Sequence, residues 1–213
     1  METMGPRWLD RAERRFGFLS IPDLALFLAV MNASIAILSL FKPQFPEALA
    51  LDPTYFLNGQ FWRGITFLFI PPLMSPLWLA FWLIFFYWLI NKLEAIWGDF
   101  RFLVYCLIGA LSIVLCSVLI HQSLSDSIFV TSLILAFARL NADVEILLFF
   151  FFPVKMKWIW AVGWAMIGWT LIFGSLADRL YYGLGVSNYL IFFGPEHWNT
   201  LKLYWRRSRA GLS

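Results

Sequence analysis

Charge is scarce in this sequence: Asp, Glu, Lys and Arg make up 14% of its residues, against about 25% in an ordinary soluble domain. So few charges cannot cover the surface of a water-soluble protein of 213 residues. Cysteine is nearly absent. Cys106 and Cys116 stand ten residues apart in one apolar run, about 15 Å on a helix, whereas a disulfide needs Cα atoms within about 7 Å. Two free, buried thiols are expected. Histidine is limited to His121 and His197, with no Cys/His cluster, which argues against a metal site, and no cofactor is expected. A cleavable leader is also missing from the reading: residues 1–16 carry Arg7, Asp10, Arg11, Glu13, Arg14 and Arg15 and are too polar for a signal h-region.

What is present is apolar bulk. Hydrophobic residues make up 61% of the chain and aromatics 20%, with 12 Trp and 23 Phe; mean hydropathy is +0.74. The solvent that suits such a chain is lipid. Phe fits the hydrocarbon core, and Trp and Tyr fit the headgroup level, where a ring keeps its polar tip wet. The length suits one domain.

The pattern predicts an all-α, polytopic membrane protein with six transmembrane helices. Spans are expected at about Ile21–Phe41, Leu77–Trp97, Phe100–Ile120, Ser127–Leu140, Trp158–Phe173 and Leu180–Phe193. A crossing of about 30 Å takes about 20 residues, so the fourth span is short. Residues 1–20 read as an N-terminal segment, with Gly5–Phe16 either a basic amphipathic helix along the membrane surface or a solvated tail. Residues 21–194 form the membrane domain and 195–213 a basic tail. A proline-rich connection over 42–76 is too polar to span, yet holds Phe61, Trp62 and the run from Phe67 to Ile70. It is expected to lie in the interface. Ile146–Phe152 is apolar but too short to cross.

Lys and Arg set the expected orientation. With the N-terminus inside, Arg7, Arg11, Arg14, Arg15, Lys92, Arg101, Arg139, Lys155, Lys157, Lys202, Arg206, Arg207 and Arg209 are cytoplasmic, thirteen of the sixteen; Lys42, Arg63 and Arg179 lie opposite. Both termini are then cytoplasmic. The net charge of +3 is thereby a topology signal. The bases form no continuous patch, and no nucleic-acid partner is expected.

Four stretches carry a resemblance. They are Phe61-Trp62-Arg63-Gly64-Ile65-Thr66; Leu93-Glu94, Trp97-Gly98, Arg101-Phe102 and Tyr105; Ala136-Phe137-Ala138-Arg139-Leu140 leading to Pro153-Val154-Lys155; and Gly183 with Ser187. None is specific alone. Trp62-Arg63 by itself is an ordinary interfacial anchor, Glu94 a carboxylate near a span end that lipid penalises unless it is hydrogen-bonded, and Gly183 and Ser187 small residues that let helices approach. In this order, over about residues 17–205, they resemble the rhomboid superfamily, including the derlins.

The resemblance implies a six-helix rhomboid-like bundle. It also places the protease chemistry, counted without gaps. The family serine falls on Ser127, followed by Ile128 where the family has glycine. The family histidine falls on Leu180, and the two oxyanion-side positions fall on Trp78 and Trp82. A serine without a base is a weak nucleophile, and Trp78, Trp82 and Leu180 are expected to fill with apolar bulk the place where a protease keeps water. The resemblance thus points to a non-catalytic, derlin-like pseudoprotease of bacterial type. It would bind or retain transmembrane segments of client proteins, in membrane protein quality control, in a bacterial cytoplasmic (inner) membrane; a eukaryotic reticulum protein is the other placement. Two alternatives stay open. One is a residual intramembrane serine protease using Ser127 with Asp126 and His121. The other is a transporter, disfavoured because the charges sit at span ends. Client, substrate and oligomeric state are not legible.

Overall fold

A computed structural model of the protein describes residues 6–148, 152–195 and 202. The fold is nearly all helical. Helix α1 covers Arg7–Phe16 and is followed by a short 3-10 turn, Gly17–Leu19. The first long helix, α2, runs Leu24–Phe41. The connection after it folds into three short helices, α3 (Phe45–Leu49), α4 (Pro53–Leu57) and α5 (Arg63–Thr66). Two 22-residue helices follow, α6 (Pro76–Trp97) and α7 (Asp99–Ile120). Then come α8 (Ser127–Leu140), α9 (Met156–Phe173) and α10 (Leu176–Gly185). Residues 187–195 are helical again after a turn at Val186.

Four of these helices, α2, α6, α7 and α9, are long and apolar enough to cross a membrane. With the uncharged apolar flanks they expose, they suggest an integral membrane protein. The boundaries follow local chemistry. Pro76 starts α6, because proline at the first helical position gives up only an N–H that has no partner there. Gly98 separates α6 from α7 at φ 80°, ψ 160°, a backbone region open to glycine and strained for other residues.

Three expectations need correction. The sixth span was expected over about Leu180–Phe193. Instead α10 begins at Leu176, because Ser175 and Asp178 form a reciprocal cap: Asp178 N–H donates to Ser175 Oγ at 3.2 Å and Ser175 N–H to Asp178 Oδ2 at 3.1 Å. That helix is also not continuous, since it breaks at Val186. Finally, the fold is not purely helical. Around the apolar stretch read as too short to cross, β1 (Glu145–Leu148) and β2 (Phe152–Lys155) form an antiparallel pair, with Glu145 opposite Lys155 and Ile146 opposite Val154. An apolar segment too short to cross satisfies its backbone by pairing with itself. Pro153, which would break a helix, is tolerated in a two-stranded edge.

The core gathers between α2, α6, α7, α8 and residues 187–195. Leu89, Ile90, Leu93, Phe102, Tyr105, Phe129, Phe137 and Tyr189 are buried in it. Cys106 and Cys116 are buried and free.

Candidate functional site

Ser127 is the first residue of α8, and its neighbour across the bundle is supplied by α10. That neighbour is Tyr181. Its hydroxyl lies 2.9 Å from Ser127 Oγ and donates to the Ser125 carbonyl at 3.0 Å. The Ile128 N–H donates to the same phenol oxygen at 3.2 Å, and Ser125 Oγ is 3.0 Å from Ser127 Oγ. The phenol has one hydrogen, and the carbonyl takes it. The oxygen therefore serves as acceptor for the Ile128 amide and for Ser127. A phenol that donates its hydrogen to a carbonyl does not supply a general base for the serine.

Leu180 is half-buried one position earlier, and the side chain facing Ser127 is the next one along. Ile128 follows Ser127 as a buried residue and packs against Gly185, where a Cβ would come within 2.5 Å of Ile128 Cγ2. The glycine that permits close approach is on the partner helix. His121 caps α7 in a left-handed conformation, φ 52°, is exposed, and makes no hydrogen bond to Ser127 or Asp126. The Ser127, Asp126 and His121 constellation is therefore not assembled. Asp126 precedes α8 without capping it, and burial pushes its carboxyl up to about 7.

The tryptophans lie differently from the expectation. Trp78 is 47% exposed and contacts Phe81. It does not fill the interior beside Ser127. Trp82 is half-buried and stacks on Phe86 with ring centroids 4.8 Å apart. The interior is filled by other groups. Tyr105 donates to the Ser132 carbonyl at 2.9 Å, and Asn188 Nδ2 to Ser132 Oγ at 2.9 Å. This polar seam joins α7, α8 and residues 187–195.

Arg63 is 7% exposed and organises the connection after α2. Its Nη1 donates to the carbonyls of Glu47 and Ala50, both at 2.8 Å, and its Nε to Gln60 Oε1 at 2.7 Å. The guanidinium also lies over the Tyr55 ring. Trp62 points outward and is exposed, so the pair divides into an inward cation and an outward ring. Thr66 Oγ1 donates to the Leu49 carbonyl at 3.0 Å. Asp52 caps α4 through the Thr54 N–H at 2.8 Å and accepts from Ser123 Oγ at 2.9 Å. The Ser123 bond is the main reason its carboxyl sits below the usual carboxylate range. A backbone pairing of Leu51 with Leu124 fastens the same connection to the turn before α8.

Glu94 is buried near the end of α6. It accepts the Leu24 and Ala25 N–H groups at 2.8 and 3.1 Å, so it caps α2 from another helix. Arg139 is exposed in the last turn of α8, where a cation complements the helix C-terminus. Gly183 meets Leu171 only at an ordinary 3.8 Å. Ser187 bonds Ser112 across to α7 at 2.6 Å. Gly185 and Gly109 are tighter than Gly183, Gly109 meeting Asn188 and Phe129 at 2.7 Å.

No group of His, Cys, Asp and Glu among the described residues could hold a metal ion. His197 and the tail bases Arg206, Arg207 and Arg209 lie outside the described residues. Sequence reading missed Tyr181, Ser132 and Asn188. Tyr181 is one residue from the counted position. In comparison with known proteins, no family model and no curated protein matches this chain.

Proposed function

We propose that this chain is a non-catalytic, rhomboid-like membrane protein of six spans, with both termini in the cytoplasm, that holds transmembrane segments of other membrane proteins. The observation that carries the reading is the Ser127–Tyr181 pair: the hydroxyl at the family serine position faces a phenol in place of a base. A second feature supports it. Only 11% of the apolar window of α9 is buried, against 39% for α7, and Trp158, Val162, Met166 and Trp169 are exposed along its flank. A helix so little covered by its own chain has room beside it for another. A bacterial cytoplasmic membrane and a role in membrane protein quality control belong to the same reading.

Two measurements test it. A fluorophosphonate probe should leave the protein unlabelled, and Tyr181→Phe should not restore labelling, because no base is released. A photocrosslinking residue at Val162 or Trp169 should capture membrane proteins in cells, while one at the buried Leu133 position should not. Labelling of the wild type that vanishes in Ser127→Ala would establish the competing reading, a serine protease. Capture of lipid alone from α9 would remove the client-holding role.

A further inference from the structure

Helix α1 separates its charges by side. Asp10 and Glu13 turn toward α7, where Arg101 bonds both: Nη2 to Asp10 Oδ1 at 2.7 Å and Nε to Glu13 Oε2 at 2.9 Å. Leu9, fully buried, anchors the same side. At about 100° per residue, Arg11, Arg14 and Arg15 lie about 120–160° round the helix from Leu9, with Trp8 on the flank. All four are exposed. None of the three arginines takes part in a salt bridge with a described residue. The chain then turns through Phe18, 81% exposed, directly into α2. Lys92, also exposed, sits at the same end of the bundle, in the last turns of α6. Among the described residues, the acids at this end outside the Arg101 and Glu94 contacts are Asp23, Asp99, Asp143 and Glu145, the last 3.9 Å from Lys155.

We propose that the outer face of α1 is a binding surface for anionic phospholipid headgroups, with Arg11, Arg14 and Arg15 as the selecting cations and Trp8 and Phe18 set in the interface. The Arg101 contacts are what make the surface cationic. They hold both acids of the helix on the side facing α7 and offset one of their two negative charges, so the outer face keeps only the arginines. Guanidinium groups match phosphate oxygens two at a time, and Trp and Phe beside them suit the boundary between headgroup and acyl chain. The inference rests on the membrane-embedded fold and is independent of whether clients are held at α9.

The test uses the full chain in a neutral detergent and follows binding of phosphatidylglycerol and phosphatidylcholine, with matched acyl chains, by native mass spectrometry. A basic residue at an anionic surface contributes about fivefold, so phosphatidylglycerol should bind at least about tenfold more tightly. Salt should weaken that preference. The triple variant Arg11→Gln, Arg14→Gln, Arg15→Gln should lose the preference, and the triple Lys variant should keep most of it. Unchanged thermal unfolding of the Gln variant separates lost recognition from lost folding. The proposal is overturned if the wild type binds both lipids equally or if the preference survives in the Gln variant. It is also overturned if inorganic phosphate displaces the lipid completely, which would mark a free-anion site.

Discussion

The connection between α2 and α6 is broken into helices of five residues or fewer, yet it is fixed by a buried guanidinium, a capped turn and a backbone pairing to the turn before α8. Helix α9 is regular over 18 residues, yet most of its surface is left uncovered by the chain. It is held at a few points: Trp160 Nε1 donates to Tyr189 Oη at 2.9 Å, Gly163 admits Leu135, and Ile167 is buried. Regular secondary structure and tertiary anchorage are therefore separate properties here. In lipid a helix satisfies its own backbone, so it can stand with few partners. An irregular segment has no such option, and each turn of it needs an external acceptor or donor.

The sharpest way to break this contrast is Arg63→Ala. It removes three hydrogen bonds and leaves the Glu47 and Ala50 carbonyls without that donor. Hydrogen bonds to a charged group contribute about 1.5–3 kcal/mol, so a loss of about 3 kcal/mol is expected on unfolding in detergent, with new proteolytic cleavage between Lys42 and Ile70. A loss below about 1 kcal/mol would show that the connection is held by something else.

Gly185→Ala tests the opposite wall of the serine cluster. Its new Cβ would meet Ile128 at 2.5 Å, and overpacking of this kind costs about 1–3 kcal/mol. Gly183→Ala, with only an ordinary contact to Leu171, should be nearly neutral. If the two variants melt alike, the close approach of α10 to α8 is not where the geometry puts it.

Asp126 gives a pH dependence of modest size. Burial raises its folded-state carboxyl from 3.8 to about 7, so the protonated form is the one favoured by the fold. Its contribution is fully present below about pH 3.8 and is lost as pH rises through about 7. Asp126 is half-buried, which screens part of the effect. Thermal unfolding followed from pH 5 to pH 8 should show a decline that Asp126→Asn removes; a profile identical in both proteins would dismiss the shift.

The smallest expected effect is on α9. Trp169→Ala removes an exposed ring and should change stability by less than about 0.5 kcal/mol, while lowering any crosslinking yield from Val162. A large destabilisation would mean that α9 is anchored after all.

The sequence made the long helices plain because an apolar run of about 20 residues has few other uses. Cys106 and Cys116 were legible from spacing alone. Arg63 and Glu94 were legible as polar groups needing partners, but not which partners, since Glu47, Ala50, Leu24 and Ala25 offer backbone atoms that carry no residue signature. Tyr181 was missed by one position. Ungapped counting from Gly183 and Ser187 put Leu180 there, and a single residue turns a helical side chain by about 100°. The hairpin was missed because a short apolar run reads alike as strand or buried helix. Trp78 was misplaced because bulk in a sequence does not say which face it occupies.

The cap on α2 sets an order of events. Asp23, which precedes that helix, adopts a left-handed backbone and offers it no side-chain cap. The acceptor for the Leu24 amide arrives 70 residues later, as Glu94. At about 5–20 residues per second of synthesis, the first long helix waits roughly 4–14 s for it. Throughout that interval its leading amides are open to water, lipid headgroups or a chaperone. The first long helix is thus finished only when the second has arrived, and its completion reports that arrival.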